Sequence, residues 1–368
     1  MKKRISFVVG ALAVAAASTV AASAAVPAGV QANLDRYKKV PTFVAPGPAF
    51  DAKAKAGGKT LFVIPASSSV PFVSTISDNM KRIGSLAGVK VTVWDNQGQP
   101  SQWVQGMNAA IAQGASAIVL LAGNDPAALQ PQIKAAKAKG IPTIVAHLYD
   151  DHQKPAPNVG GLVNIPYQLA GELIADQAIL DTDAKANALV VTINQVKSTV
   201  PMVAGVKAEF AEYCKGCKLS FTDVTIADIA TKIQPNVQGA LTGDPNINYV
   251  ICLYDSAEAP FAEAAIRAAG RVGKVKISTF NGTPFALKMI QDGDVVASDI
   301  GENLDWLGWA DMDQALRILT GVKPVQSEHT PLRLFDETNV GEAGKPPQDS
   351  TGYGNAYVQK YKQLWGIT

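Results

Sequence analysis

The chain has 368 residues, 47% of them hydrophobic and 17% charged, which is enough to build about two globular domains. Its 33 basic and 31 acidic residues give a formal charge of +2, and removing Lys2, Lys3 and Arg4 with a leader leaves 30 against 31, or −1. Neither balance supplies the basic surface that holds nucleic acid, so no nucleic-acid partner is expected.

Met1-Lys2-Lys3-Arg4, the apolar run from Ile5 to Ala17 and the small residues Ala22-Ser23-Ala24 read as a secretory signal peptide over residues 1–24. No later apolar run approaches the roughly 18 residues of a membrane span, so the mature chain is expected to be soluble in an oxidising compartment. Residues 25–58 carry Pro27, Pro41, Pro46, Gly47, Pro48 and Gly57 without a sustained hydrophobic period, and read as an extended lead lying on the folded body. Gly58-Lys59-Thr60 ends like a phosphate loop. Lys53 stands where that motif needs Gly, however, and the triplet precedes a strand instead of following one, which excludes it.

From Lys59 onward strands alternate with helices. Strands are expected at Thr60 to Pro65, Val89 to Trp94, Ala117 to Leu121, Thr143 to Ala146 and Asn158 to Asn164. Between them Ile76, Met80 and Ile83 recur at i, i+4 and i+7, while Leu129 and Ile133 mark the face of a later helix. After a helix at Tyr167 to Leu180 and a polar turn, a second alternation runs through strands at Ala188 to Ile193, Leu219 to Thr225 and Asn248 to Leu253. Near-continuous apolar strands separated by amphipathic helices argue for parallel sheets covered on both faces.

Val275 to Asn303 closes this second alternation. A strand runs into Phe280-Asn281-Gly282-Thr283-Pro284, where Pro284 suits the first turn of a helix, and the next strand ends on Glu302 and Asn303. Ligands of open parallel sheets sit beyond the carboxyl ends of strands, which makes Asn281 and Glu302 binding candidates. Asn281-Gly282 is equally readable as a turn that needs Gly. Trp306 and Trp309, three apart on the following helix, read as core packing. A short strand is expected at Leu332 to Phe335, an exposed Gly/Pro-rich stretch from Gly341 to Gly354, and an amphipathic turn from Tyr357 to Trp365.

Cys214-Lys215-Gly216-Cys217 reads as a small structural disulfide in an exported chain. None of His147, His152 and His329 lies near it in sequence, so no metal is expected there. Cys252, within an apolar strand, reads as a core residue.

The order and spacing of five features resemble the periplasmic sugar-binding proteins of the ribose and galactose type, the type I solute receptors of ABC importers. The features are Ser67-Ser68-Ser69-Val70-Pro71-Phe72 after the first strand, Trp94-Asp95-Asn96-Gln97 with Pro100 after the second, and Gly140-Ile141-Pro142 before the fourth. Asp255 after the strand ending at Leu253, and the Phe280 to Pro284 turn, complete the set. The resemblance spans about Lys59 to Phe335. It implies an α/β fold of two Rossmann-like lobes, parallel sheets flanked by helices, joined by a three-crossover hinge. Lobe 1 is then 59–164 plus 303–331, and lobe 2 is 165–302 plus 332–368.

By the same resemblance Phe72 stacks on the ligand, Asn281 replaces a usual Asp, Glu302 a usual Gln and Tyr254 a usual Asn. The expected Asp-Arg pair after the fourth strand is His147-Leu148, and the expected Arg after Ile193 is Met202. Ser69, Tyr149, Asn164 and Asp255 complete the candidate ligand set, with Asp150 close by in sequence. His147 is also readable as a structural histidine. Without a guanidinium fork the pocket should take a neutral solute.

The expectation is a monomeric periplasmic receptor without catalytic residues, cofactor or metal. It captures a small neutral polyhydroxylated compound (a sugar, sugar alcohol or cyclitol) and delivers it to an ABC permease. A ligand-presenting sensory subunit, and a receptor for a small aromatic solute, remain open beside it. The chain has no G-x-S-x-G elbow and no H-E-x-x-H, which argues against an exported enzyme. The leader argues against a repressor's sensing domain.

Overall fold

Two separate sheets, each covered by helices on both faces, account for the alternation. The computed structural model describes residues 26–151, 153–293 and 295–367, so the expected leader lies outside the described residues. The chain opens with α1 (Ala28–Tyr37) and the short α2 (Ala52–Ala56). There follow β1 (Thr60–Pro65), α3 (Pro71–Leu86), β2 (Lys90–Val93), α4 (Pro100–Ala112), β3 (Ala117–Leu121), α5 (Gln130–Ala138), β4 (Thr143–Ala146) and β5 (Gly161–Val163).

These five strands form a wholly parallel sheet in the order β2-β1-β3-β4-β5. β3, Ala-Ile-Val-Leu-Leu, is buried throughout, as a central strand covered on two faces must be. Ile76, Met80 and Ile83 are fully buried on one face of α3, as their spacing requires.

The second half runs α6 (Tyr167–Asp181), β6 (Asn187–Thr192), α7 (Thr199–Tyr213), β7 (Lys218–Asp223), α8 (Ile229–Gly243), β8 (Tyr249–Cys252), α9 (Asp255–Ala268), β9 (Lys276–Asn281), α10 (Pro284–Asp292) and β10 (Val296–Glu302). Then come α11 (Leu304–Thr320), β11 (Leu332–Asp336) and α12 (Ala356–Trp365). Its sheet has the order β11-β10-β9-β8-β6-β7, parallel apart from the antiparallel β10–β11 pair.

α6 packs on β8, β9 and β10 of the second sheet, whereas α11 packs on α3, β3 and β5 of the first. The chain therefore passes between lobes after β5, after β10 and before β11. The helices that follow strands start sharply: Pro71, Pro100 and Pro284 occupy first turns, and Asn303 Oδ1 accepts a hydrogen bond from Trp306 N at 2.9 Å. Such abrupt starts leave short loops at the carboxyl ends of the strands, where the two lobes face each other.

Both chain ends depart from expectation. The lead is helical over α1, where Val30 and Leu34 are fully buried against α6 of lobe 2. An i, i+4 pair alone is too short a stripe to stand out in sequence. The lead then crosses to lobe 1: Phe43 stacks on Trp306 at 5.8 Å, Arg317 lies 4.7 Å over Phe50, and α2 packs on α11.

The tail, expected as a whole with lobe 2, also divides. β11 stays with the second sheet, but α12 lies on α11, with Tyr357 stacked on Trp306 at 4.5 Å and Trp365 on Trp309 at 5.0 Å. Trp306 and Trp309 are thus core residues of a cluster made by three distant segments. The 341–354 stretch is not simply exposed, because Ala343 and Tyr353 are buried. Cys214 and Cys217 are bonded, and Cys252 is a buried free thiol.

Candidate functional site

The loops after β1, β3, β4, β6, β7, β8 and β9 surround a cavity of about 60 Å³ between the lobes. Lobe 1 contributes Ala66, Val70, Phe72, Val73, Ala122 and His147. The wall on the lobe 2 side comprises Tyr167, Ile193, Val196, Ser198, Ile226, Ile229, Tyr254, Ser256, Ala257 and Asn281. Of the expected ligand set, the structure brings Phe72, His147, Tyr254 and Asn281 together here.

His147, directly after β4, has a φ of 56°, a left-handed conformation uncommon outside Gly that marks a strained, over-determined site. Its buried ring sits edge-on to Phe72 at 6.3 Å, and Nε2 lies 2.9 and 3.0 Å from the two carboxylate oxygens of Asp311 on α11. Burial opposes the imidazolium. Asp311, by charge and hydrogen bond, and Glu302, by charge, nevertheless raise its pKa above the ordinary value. Nδ1 has no hydrogen-bond partner.

Asn281 has a φ of 128°, and its Nδ2 donates to Glu302 Oε2 at 3.2 Å. The following Gly282 is required on two counts. Its φ is 72°, and a Cβ there would stand 2.7 Å from Gly301 Cα and 2.9 Å from Glu302 N and O. Glu302 does not line the cavity; it is buried behind Asn281. Burial pushes its pKa up to about 8, with His147 and Asn281 opposing and Asp255 and Asp311 reinforcing. Burial thereby biases the carboxyl towards its protonated form.

Tyr254 closes the opposite wall, its hydroxyl 2.8 Å from Ser198 Oγ and 2.9 Å from Thr199 Oγ1. Burial pushes its pKa well up, so it stays a neutral phenol. Tyr167 packs edge-on against Phe280 at 5.9 Å.

The other candidates stand elsewhere. Asp255 is fully buried and accepts from Thr283 N at 2.7 Å and from Ser256 N, so it anchors the turn that carries Asn281. Burial raises its pKa to about 6, and the neighbouring Asp299 is pushed well above the carboxylate range, which leaves the pair sharing a proton.

Met202 is buried where α7 meets α6, its backbone oxygen only 2.1 Å from where a Cβ on Gly171 would stand, and it does not line the cavity. Ser198, one turn earlier, takes the place expected of it. Ser69 is exposed with its Oγ 2.9 Å from Ser67 Oγ, and Tyr149 Oη accepts from Ala156 N at 3.1 Å within lobe 1. Asn164 lines a different groove, at the hinge, with Tyr37 and Thr330, while Asp150 accepts from Gln168 N at 2.9 Å at the start of α6.

Sequence reasoning missed Val196, Ser198, Ile226 and Tyr167. The pair Ser198-Thr199, directly after an apolar strand and at the start of a helix, was the available signal. The aliphatic members carried none, because an Ile in a loop does not announce which surface it faces.

Contacts also cross the cleft directly. Lys197 Nζ lies 3.2 Å from Asp125, Phe72 N donates to Ser256 Oγ at 3.4 Å, and Gly98 lies so close to Ile226 that a Cβ would stand 2.6 Å from Ile226 Cγ2.

Residues 61–323 match the model of a family described as periplasmic binding protein domain. Among solved structures, the chain is similar to an ABC transporter solute-binding protein from Mycobacterium smegmatis with bound glycerol. The two are 18% identical with a TM-score of 0.70, over 80% of this chain and 100% of that one. A solute-binding protein from Bacillus halodurans with bound myo-inositol is 18% identical, covering 79% and 99%, at a TM-score of 0.68. Another, from Agrobacterium vitis and bound with alpha-D-tagatopyranose, is 21% identical, covering 77% and 96%, also at 0.68. Likeness at these identities establishes the fold. No curated protein matches the chain.

Proposed function

The chain belongs to the periplasmic binding protein domain family, and from that premise we propose that it is an exported receptor. It holds a small neutral solute between its lobes and delivers it to an ABC import permease. The observation that carries this reading is the cavity itself, walled by strand-end loops of both lobes and bridged by Lys197–Asp125 and Phe72–Ser256. A solute seated there touches both lobes only when they are closed. Its free energy therefore shifts the open–closed equilibrium, and the permease reads the closed surface.

The wall carries no Lys, Arg, Asp or Glu among the described residues, and the imidazole of His147 is paired with Asp311, which supports a neutral ligand. The structural relatives with bound glycerol, myo-inositol and tagatopyranose support a small uncharged solute. The leader read at residues 1–24 supports export.

Catalysis is disfavoured on geometry. His147 and Asp311 form the base half of a nucleophilic triad, but Nδ1 has no hydroxyl within hydrogen-bond distance. Small-angle scattering of the mature protein, titrated with solutes recovered from its native compartment, tests the reading. Compaction on binding is expected; a radius of gyration unmoved by a solute that does bind overturns it.

A further inference from the structure

Resting on the receptor reading above, we propose that the ligand is a compact ring compound with apolar faces and one or two oxygen functions at a single end, such as a phenol or a cyclic alcohol. Among the described residues, ten of the sixteen that line the cavity are Ala, Val, Ile or Phe. Aliphatic side chains from both lobes, Val70 and Val73 from one and Val196 and Ile226 from the other, face the same space.

The polar groups at the wall are largely spent on one another. Tyr254 bonds Ser198 and Thr199, Ser256 accepts from the backbone of Phe72, and Asn281 donates to Glu302. Among the described residues that line the cavity, one buried polar atom lacks a partner, His147 Nδ1, and it marks a single corner of the space.

A solute matched to this wall needs oxygen at that corner and carbon elsewhere. With Nε2 committed to Asp311, Nδ1 can accept from a ligand hydroxyl when the ring is neutral and donate to a ligand oxygen when it is protonated. A polyol would bring hydroxyls around its whole rim, and each one facing an aliphatic side chain would be desolvated unpaired, at roughly tenfold or more in affinity.

The size agrees. About 60 Å³ is smaller than the roughly 150 Å³ that admits benzene in an engineered apolar cavity, so the lobes must part slightly even for a single ring. A ring would also gain contact with the aromatic side chains of Phe72 and Tyr254, which line the cavity from opposite lobes.

The test is thermal shift and calorimetry on the mature chain, unfolded and refolded to strip any co-purified solute. The probes are 4-methylphenol, benzyl alcohol and cyclohexanol against glycerol, myo-inositol and D-allose. Ring mono-alcohols are expected to raise the melting temperature by several degrees at about 100 times their Kd, with the polyols silent at the same concentrations. Val196→Thr, nearly isosteric, is expected to weaken the ring compounds several-fold. Should that variant fold poorly, Ile226→Thr asks the same question. Binding of a polyol with closure, while the ring compounds fail, overturns the ligand class and leaves the receptor reading intact. Ring compounds that bind without compaction overturn the receptor reading instead. Ring affinity unchanged in a folded Val196→Thr or Ile226→Thr variant overturns the assignment to this cavity.

Discussion

Replacing Glu302 by Gln isolates the electrostatic cost of burying a carboxyl at the cleft. In the unfolded chain Glu302 ionises near 4.5, whereas in the folded lobe burial holds its pKa at about 8. Between those values the native state keeps a proton that the unfolded state has lost. Stability is therefore greatest below about pH 4.5 for this group and falls as pH rises towards 8. At about 1.36 kcal/mol per pH unit, the gap corresponds to a ceiling of about 5 kcal/mol, fully developed only above pH 8. His147, whose folded pKa is raised from 6.5, adds a fall of the same sign as pH rises above that value. Asp255 and Asp311 add repulsion of the same sign.

Gln has the same shape, keeps an oxygen for Asn281 and carries no charge. Guanidinium unfolding from about pH 5 to about pH 9 should thus give closely matched stabilities at the acid end. At the alkaline end the Glu302→Gln variant should be more stable by several kcal/mol, up to that ceiling, at unchanged m-value. Parallel stability curves would refute the claim that this carboxyl is neutral in the native state.

Gly98→Ala adds a methyl 2.6 Å from Ile226 at a φ of 81°, a contact made only when the lobes meet. The variant should bind its solute at least tenfold more weakly and scatter as a more open molecule, and wild-type affinity would show that the contact does not govern closure. Trp309→Ala removes the ring that stacks on Tyr361 and Trp365 and should cost about 3–5 kcal/mol with loss of near-UV dichroism; a cost below about 1 kcal/mol would mean that α12 is not held by this cluster. Cys214→Ser opens a loop whose ends are three residues apart and should lower stability by about 2 kcal/mol, as would reduction of the wild type, whereas an unchanged melting temperature in both would exclude a stabilising bond.

The α/β alternation, the two lobes and the positions of Phe72, Tyr254 and Asn281 at the cleft were legible because they rest on local rules. A fully apolar run such as β3 must be a covered strand, a Pro in a first turn must start a helix, and a residue just past a parallel strand must face the sheet's carboxyl edge. The periodicity of Ile76, Met80 and Ile83 likewise belongs to α3 alone.

What the chain order could not disclose was decided by contacts between segments far apart in sequence. Asp311 turns His147 from an open question into a half-paired imidazole across 164 residues. The α6–α7 backbone contact removes Met202 from the cleft and leaves Ser198 there. Val30 and Leu34 find α6, and Trp365 finds Trp309, only after both lobes exist. Which face an aliphatic side chain presents, and whether a polar one is already satisfied, are properties of the assembled neighbourhood. The sequence by itself therefore determined the scaffold and where the site lies, while the chemistry of the cavity wall was settled only by packing.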